Sequence, residues 1–137
     1  MMKTFIDTNI IVYANDKRDA AKQNKAIQIL RNLMHQRNGA ISTQVLQEYA
    51  FAAIRKLNQS HNVVLRQIKL LEAFEVINQT PEQIRRALEI THSYQISFWD
   101  ACIISNAEHA DCTVIYSEDL NTGQFYSGIQ IVNPFIT

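Results

Sequence analysis

Apolar and polar positions along the chain fall into blocks whose period changes repeatedly. Phe5-Ile6 opens a short apolar run, Asp7-Thr8-Asn9 breaks it, and Ile10-Ile11-Val12-Tyr13 resumes it. A run without polar alternation suits a strand covered on both faces. The stretch predicts a buried strand ending at Asp7, a tight turn, and a helix. Asn9 is expected to cap that helix through its side-chain oxygen, which leaves the Asp7 carboxylate free. An acid there stands at the carboxyl end of a buried strand, where open α/β sheets place their ligands. The alternative is that Asp7 itself is only a helix cap.

Helical spacing returns over residues 20–37, where Ala26, Ile27, Ile29, Leu30, Leu33 and Met34 form a stripe. Asp19 is placed to cap this helix and Asn38-Gly39 to stop it. Residues 40–42 read as a short strand. A helix from Ser42 or Thr43 to about Leu57 follows, with Leu46, Ala50, Ala53, Ile54 and Leu57 inward. The next spans roughly 61–72, with Val64, Leu65, Ile68 and Leu71 inward. Residues 74–77 alternate like a brief strand. Thr80-Pro81-Glu82-Gln83 has a capping Thr, Pro at the first helical position and Gln at the third, a strong start for a helix to Tyr94. Another helix runs from Ser97 to about Ala110. Residues 113–116 form the clearest later strand, 117–128 read as a loop, and 129–132 close the sheet. Strands alternating with helices imply a parallel sheet with helices on both faces.

Composition narrows the class. At 137 residues, 47% hydrophobic, with three glycines and two prolines, the chain is expected to be a single domain, 1–137, with its own core. No apolar run approaches a membrane span, and Asp7 interrupts the N-terminal stretch before a signal-peptide core forms. Cys102 and Cys112 have no metal or redox spacing and read as buried, reduced thiols of a cytoplasmic protein. Formal net charge is zero, but all 13 Lys and Arg lie at or before Arg86. With seven acids, residues 1–86 carry 13 − 7 = +6, and the six acids after them give −6. Such asymmetry suggests a basic surface beside an acidic site, though solvated helix faces produce it as well.

Four acids break their local patterns. Asp100 stands where the helical stripe Ile103, Ile104, Ala107 should begin; it is either half of a Ser97-x-x-Asp100 capping box or a ligand at a cleft floor. Asp119 follows the strand 113–116 as Asp7 follows the first. Glu48 lies opposite its helix's apolar stripe, a solvated position by default, yet close to a strand's carboxyl end. Clustered carboxylates raise each other's pKa unless a cation neutralises them. Oxygen-only ligands suit Mg²⁺ or Mn²⁺, and no Cys/His arrangement supports zinc. Such a cluster can activate water against a phosphodiester.

Ile6-Asp7-Thr8-Asn9, Glu48 in a helix, Ser97-Phe98-Trp99-Asp100-Ala101 and Tyr116-Ser117-Glu118-Asp119-Leu120, in that order, resemble the PIN-domain ribonucleases, and within them the VapC-like toxins of toxin–antitoxin pairs. The resemblance implies a three-layer α/β/α sandwich with a mainly parallel sheet, one or two Mg²⁺ or Mn²⁺ ions, and endonucleolytic cleavage of RNA. It implies a cognate antitoxin protein and a homodimer as partners, with no membrane. It carries metal and catalytic roles onto Asp7, Glu48, Asp100 and Asp119, and accessory roles onto Asn9 and Ser117. Ser117 stands where Thr is commoner. Either Glu118 or Asp119 faces the metal. Basic residues in 17–37 and 55–69, with Lys17, Arg18, Lys22 and Lys25 as candidates, would contact the RNA backbone. Two rivals remain: a catalytically silent PIN-like RNA- or protein-binding module, and an aspartyl-phosphate phosphatase of the haloacid dehalogenase kind. The second needs an acid at position 9, where this chain has Asn9.

Overall fold

The computed structural model describes residues 2–136. Its elements are β1 (Thr4–Ile6), α1 (Thr8–Ala14), α2 (Ala20–Gln36), β2 (Gly39–Ser42), α3 (Thr43–Arg55), α4 (His61–Leu71), β3 (Glu75–Ile77), α5 (Pro81–Tyr94), α6 (Phe98–His109), β4 (Val114–Tyr116), β5 (Phe125–Tyr126) and β6 (Ile129–Val132). The six strands form one sheet in the order β3-β2-β1-β4-β6-β5, flanked by helices as a three-layer sandwich. All pairings are parallel except β5 with β6.

That order sets the position of the acids. The chain steps from β1 to β2 and β3 on one side, then crosses to β4 on the other. Between β1 and β4 the direction of winding reverses, and the loops leaving their carboxyl ends part to leave a crevice. Phe5 pairs with Ile115 and Ile6 with Tyr116. The backbone N–H of Asp7 continues that ladder by donating to the Tyr116 carbonyl at 3.0 Å. Phe5, Ile6 and Ile115 are fully buried, as unbroken apolar strands require.

The predicted capping chemistry is present in α2, capped by Asp19, in α3, capped by Ser42, and in the Thr80/Gln83 capping box of α5. Four expectations are corrected. The cap of α1 is Asp7, whose Oδ1 accepts from the Thr8 N–H at 2.7 Å, and not Asn9. The left-handed residue ending α2 is Arg37; Gly39 starts β2, where a Cβ would lie 2.7 Å from the Phe74 ring. Ile54 and Leu65, expected inward, are more than half exposed: α3 turns Val45 and Tyr49 to the core along with Ala53, and α4 turns Val64 and Leu71 inward. The 117–128 stretch holds β5, joined to β6 by Ser127-Gly128, both at positive φ. Two such residues make the tight turn whose twist matches an antiparallel pair. Helix α6 is buried at every position from Ala101 to Ala107, so its core contact is wider than one stripe. Both cysteines are free and buried. Among the described residues no helix is long and apolar enough to cross a membrane.

Candidate active site

Asp7, Glu48, Asp100 and Asp119 line a single cleft of about 440 Å³. Four separate elements deliver them. Asp7 joins β1 to α1, and Asp119 lies three residues beyond β4. Glu48 is in the second turn of α3, and Asp100 in the first turn of α6.

Asp7 is 6% exposed and its two oxygens are used differently. One caps α1. The other, Oδ2, accepts from Ser117 Oγ at 2.7 Å and from Asn9 Nδ2 at 3.3 Å. Burial pushes its pKa up to about 6, against the pull of the Ser117 and Thr8 hydrogen bonds, and the nearby Asp119 and Glu48 carboxylates add to the rise. Asn9 is the tie between the strand-end acids. Its Nδ2 also donates to Asp119 Oδ2 at 3.2 Å, and its Oδ1 accepts from the Glu118 N–H at 3.0 Å. Fully buried Ser117 Oγ meanwhile accepts from the Asp119 and Leu120 N–H groups, fixing the turn after β4.

Glu48 and Gln44 are one helical turn apart on α3 and both reach the cleft. Glu48 Oε1 accepts from Thr8 Oγ1 at 2.6 Å. Gln44 Nε2 donates to the Trp99 carbonyl at 3.3 Å, which ties the first turn of α6 to α3 and holds Asp100 across from Glu48. Ser97 Oγ accepts from the Asp100 N–H at 3.1 Å, one half of the expected capping box. Among the described residues nothing donates to the Asp100 carboxylate, so its oxygens remain available to a ligand.

Glu118 also lines the cleft, but its carboxylate is already engaged. Its Oε1 accepts from Tyr13 Oη at 2.6 Å and its Oε2 from Lys22 Nζ at 2.5 Å. Burial works to raise its pKa, but these two donors outweigh it and hold the carboxyl below its usual value. The Lys22 ammonium also lies over the Tyr13 ring, 4.6 Å from its centroid. Of the four basic candidates, Arg18 lines the acid cleft, where it forks onto Asp16. Lys17 lines a neighbouring recess with Arg18 and Lys56. Lys22 is engaged by Glu118, and Lys25 lines a separate recess with Tyr116 and Pro134. Lys56 also lines the acid cleft, within the basic stretch expected at 55–69.

Thr8, Tyr13, Gln44 and Trp99 are not singled out by the sequence. Thr8 and Gln44 act on residues 40 and 55 positions away, which no local pattern encodes. The one available signal is spacing: Gln44 and Glu48 share a helix face.

The all-oxygen donor set of this cleft suits a hard divalent cation. Among the described residues no three acidic, His or Cys side chains converge as one ligand cage. An ion that keeps most of its water and takes one or two carboxylates fits this spacing, which is the habit of Mg²⁺.

The PIN domain family matches residues 4–126. No curated protein matches the chain. Among solved structures it is similar to a toxin–antitoxin complex from Klebsiella pneumoniae, with 20% identity, a TM-score of 0.73, and coverage of 97% of this chain and 98% of the other. It is also similar to VapC20 from Mycobacterium tuberculosis, a sarcin-ricin loop cleaving toxin (19% identity, TM-score 0.67, 85% and 90% coverage). A third similar structure is FitAcB from Neisseria gonorrhoeae (17% identity, TM-score 0.68, 96% and 97% coverage). At these identities the structures establish likeness of fold, and the match over residues 4–126 establishes that the chain belongs to the PIN-domain family.

Proposed function

We propose that this protein is a Mg²⁺- or Mn²⁺-dependent endoribonuclease and the toxin of a toxin–antitoxin pair. The observation that carries the chemistry is the meeting of Asp7, Glu48, Asp100 and Asp119 in one cleft at the sheet's switch point. Besides burial, the Asp119 and Glu48 carboxylates both push the Asp7 pKa up, a repulsion that a bound cation would relieve. The toxin role is supported by similar structures from several bacteria that are toxin–antitoxin complexes.

Asp7, Asp100 and Asp119 would hold the cation, directly or through water. When bound it polarises a phosphate oxygen and offsets the charge developing in the transition state. Ser117 and Asn9 keep the Asp7 and Asp119 oxygens in place, so little reorganisation accompanies loading. Glu48, braced by Thr8, orients the attacking water and takes its proton. In-line attack at phosphorus then breaks the bond to the 3′-oxygen, which takes a proton from solvent water, leaving 3′-hydroxyl and 5′-phosphate ends. We assign Asp119 rather than Glu118 to the cation, because the Glu118 charge is already balanced by Lys22 Nζ, whereas among the described residues Asp119 has no cationic partner.

The test is cleavage of single-stranded and structured RNAs by purified protein in Mg²⁺ or Mn²⁺, with and without a chelator. Cleavage that the chelator stops, with 5′-phosphate products, is expected. Absence of cleavage together with no calorimetric Mn²⁺ binding gives the fold to a silent binding module instead.

A further inference from the structure

Trp99 is the chain's single tryptophan and is 63% exposed. It sits on the lip of the acid cleft, one residue before Asp100. A large indole left in water forgoes the burial that usually stabilises it. This one is nevertheless held in place. Gln44, itself 8% exposed, bonds the Trp99 carbonyl, and its Oε1 is buried beside the cleft without a partner. The Phe98 ring meets the indole edge-to-face at 5.2 Å. The same cleft carries Arg18 and Lys56, and among the described residues Lys56 forms no ion pair. Cations that track a phosphate backbone beside a bare aromatic face are the chemistry of single-strand binding. No other exposed large apolar side chain among the described residues, such as Phe51, Ile54 or Leu65, lines this cleft.

We propose that Trp99 is a stacking platform for an unpaired nucleobase flanking the scissile phosphate, so that the substrate is RNA that is single-stranded at the cut. This rests on the reading of the acids as a nuclease site. A base inside a duplex already has stacking partners on both faces and cannot reach the indole. Gln44 is the positioning residue, since it fixes the backbone that presents the ring.

Because there is one tryptophan, emission excited selectively at the indole, clear of the five tyrosines, reports on this site alone. Short single-stranded RNA titrated into non-cleaving Asp7→Asn protein is expected to quench it saturably. The matched duplex and an abasic sugar-phosphate oligomer are expected to leave it unchanged. In cleavage assays Trp99→Ala raises KM about tenfold with kcat within about twofold, and Trp99→Phe restores most of the loss. Labelled RNA that binds by anisotropy without quenching, or an unchanged KM in Trp99→Ala, overturns the platform while metal-dependent cleavage leaves the nuclease reading standing. A smaller species for Trp99→Ala by size-exclusion chromatography overturns it in favour of a contact between proteins. If the wild type neither binds nor cleaves any RNA, both readings fall.

Discussion

Asp7 receives three hydrogen bonds where water scarcely reaches, and its pKa still rises to about 6. The sign of its effect on stability follows. The folded chain keeps the proton that the unfolded chain has lost above about pH 4. Without metal, Asp7 therefore favours the fold below pH 4, and that advantage disappears as pH rises through about 6. The loss is of order 3 kcal/mol, because a tenfold difference in proton affinity between the folded and unfolded chain is worth about 1.4 kcal/mol. Urea unfolding in chelator from pH 4 to 7.5 is expected to show it in the wild type and not in Asp7→Asn. Ser117→Ala removes a hydrogen bond that lowers this pKa. The acid limb of the pH–activity profile should move to higher pH, with activity at pH 6 falling roughly three- to tenfold while activity at pH 8 falls less. Three of the acids stand out in the sequence because each breaks a local rule: Asp7 and Asp119 follow apolar strands, and Asp100 fills an apolar slot, whereas Glu48 occupies an ordinary solvated position. Of the acids' supports, Asn9 and Ser117 come only from the family resemblance, and Thr8 and Gln44 are not legible, since they act across long sequence separations. Asn9, the expected cap of α1, instead joins two carboxylates, with Asp7 doing the capping.

At the scale of elements, the strands and most helix starts follow from short-range chemistry, and local patterns locate them within a residue or two. Differences arise where several faces of a helix are apolar. In α3 the stripe through Ile54 competes with that through Val45, Tyr49 and Ala53, and only packing against the sheet decides between them. The β5–β6 hairpin escapes sequence patterning because β5 has only two residues and lies amid turn residues. Gly39 carries a clear test. Expected to stop α2, it lies in β2 against Phe74 and the Leu33 side chain. Gly39→Ala forces the Phe74 ring to shift and should destabilise the protein by about 1–3 kcal/mol in denaturant unfolding. Unchanged stability in Gly39→Ala would contradict the close contact with Phe74.

Across the whole molecule, the divided charge of the sequence is partly closed by the fold. Lys22–Glu118 and Arg86–Glu108 pair the basic part of the chain with the acidic part. Of the basic side chains, Arg18 and Lys56 remain on the cleft with the acids. Arg18→Ala with Lys56→Ala is expected to weaken RNA binding to a similar degree for all sequences. It should also reduce the slope of log affinity against log salt by about 2. A base-dependent loss would mean that these residues read sequence rather than backbone. A cation site for RNA hydrolysis built from the four acids is probed most cleanly at Asp100. It is half-buried, receives no hydrogen bond at its carboxylate, and offers no structural reason for Asp100→Asn to unfold the chain. The decisive measurement is the Mn²⁺-dependent cleavage rate of Asp100→Asn, with folding verified by its melting curve. A loss of at least about 100-fold with an unchanged fold is the expected result, and cleavage at the wild-type rate contradicts the account.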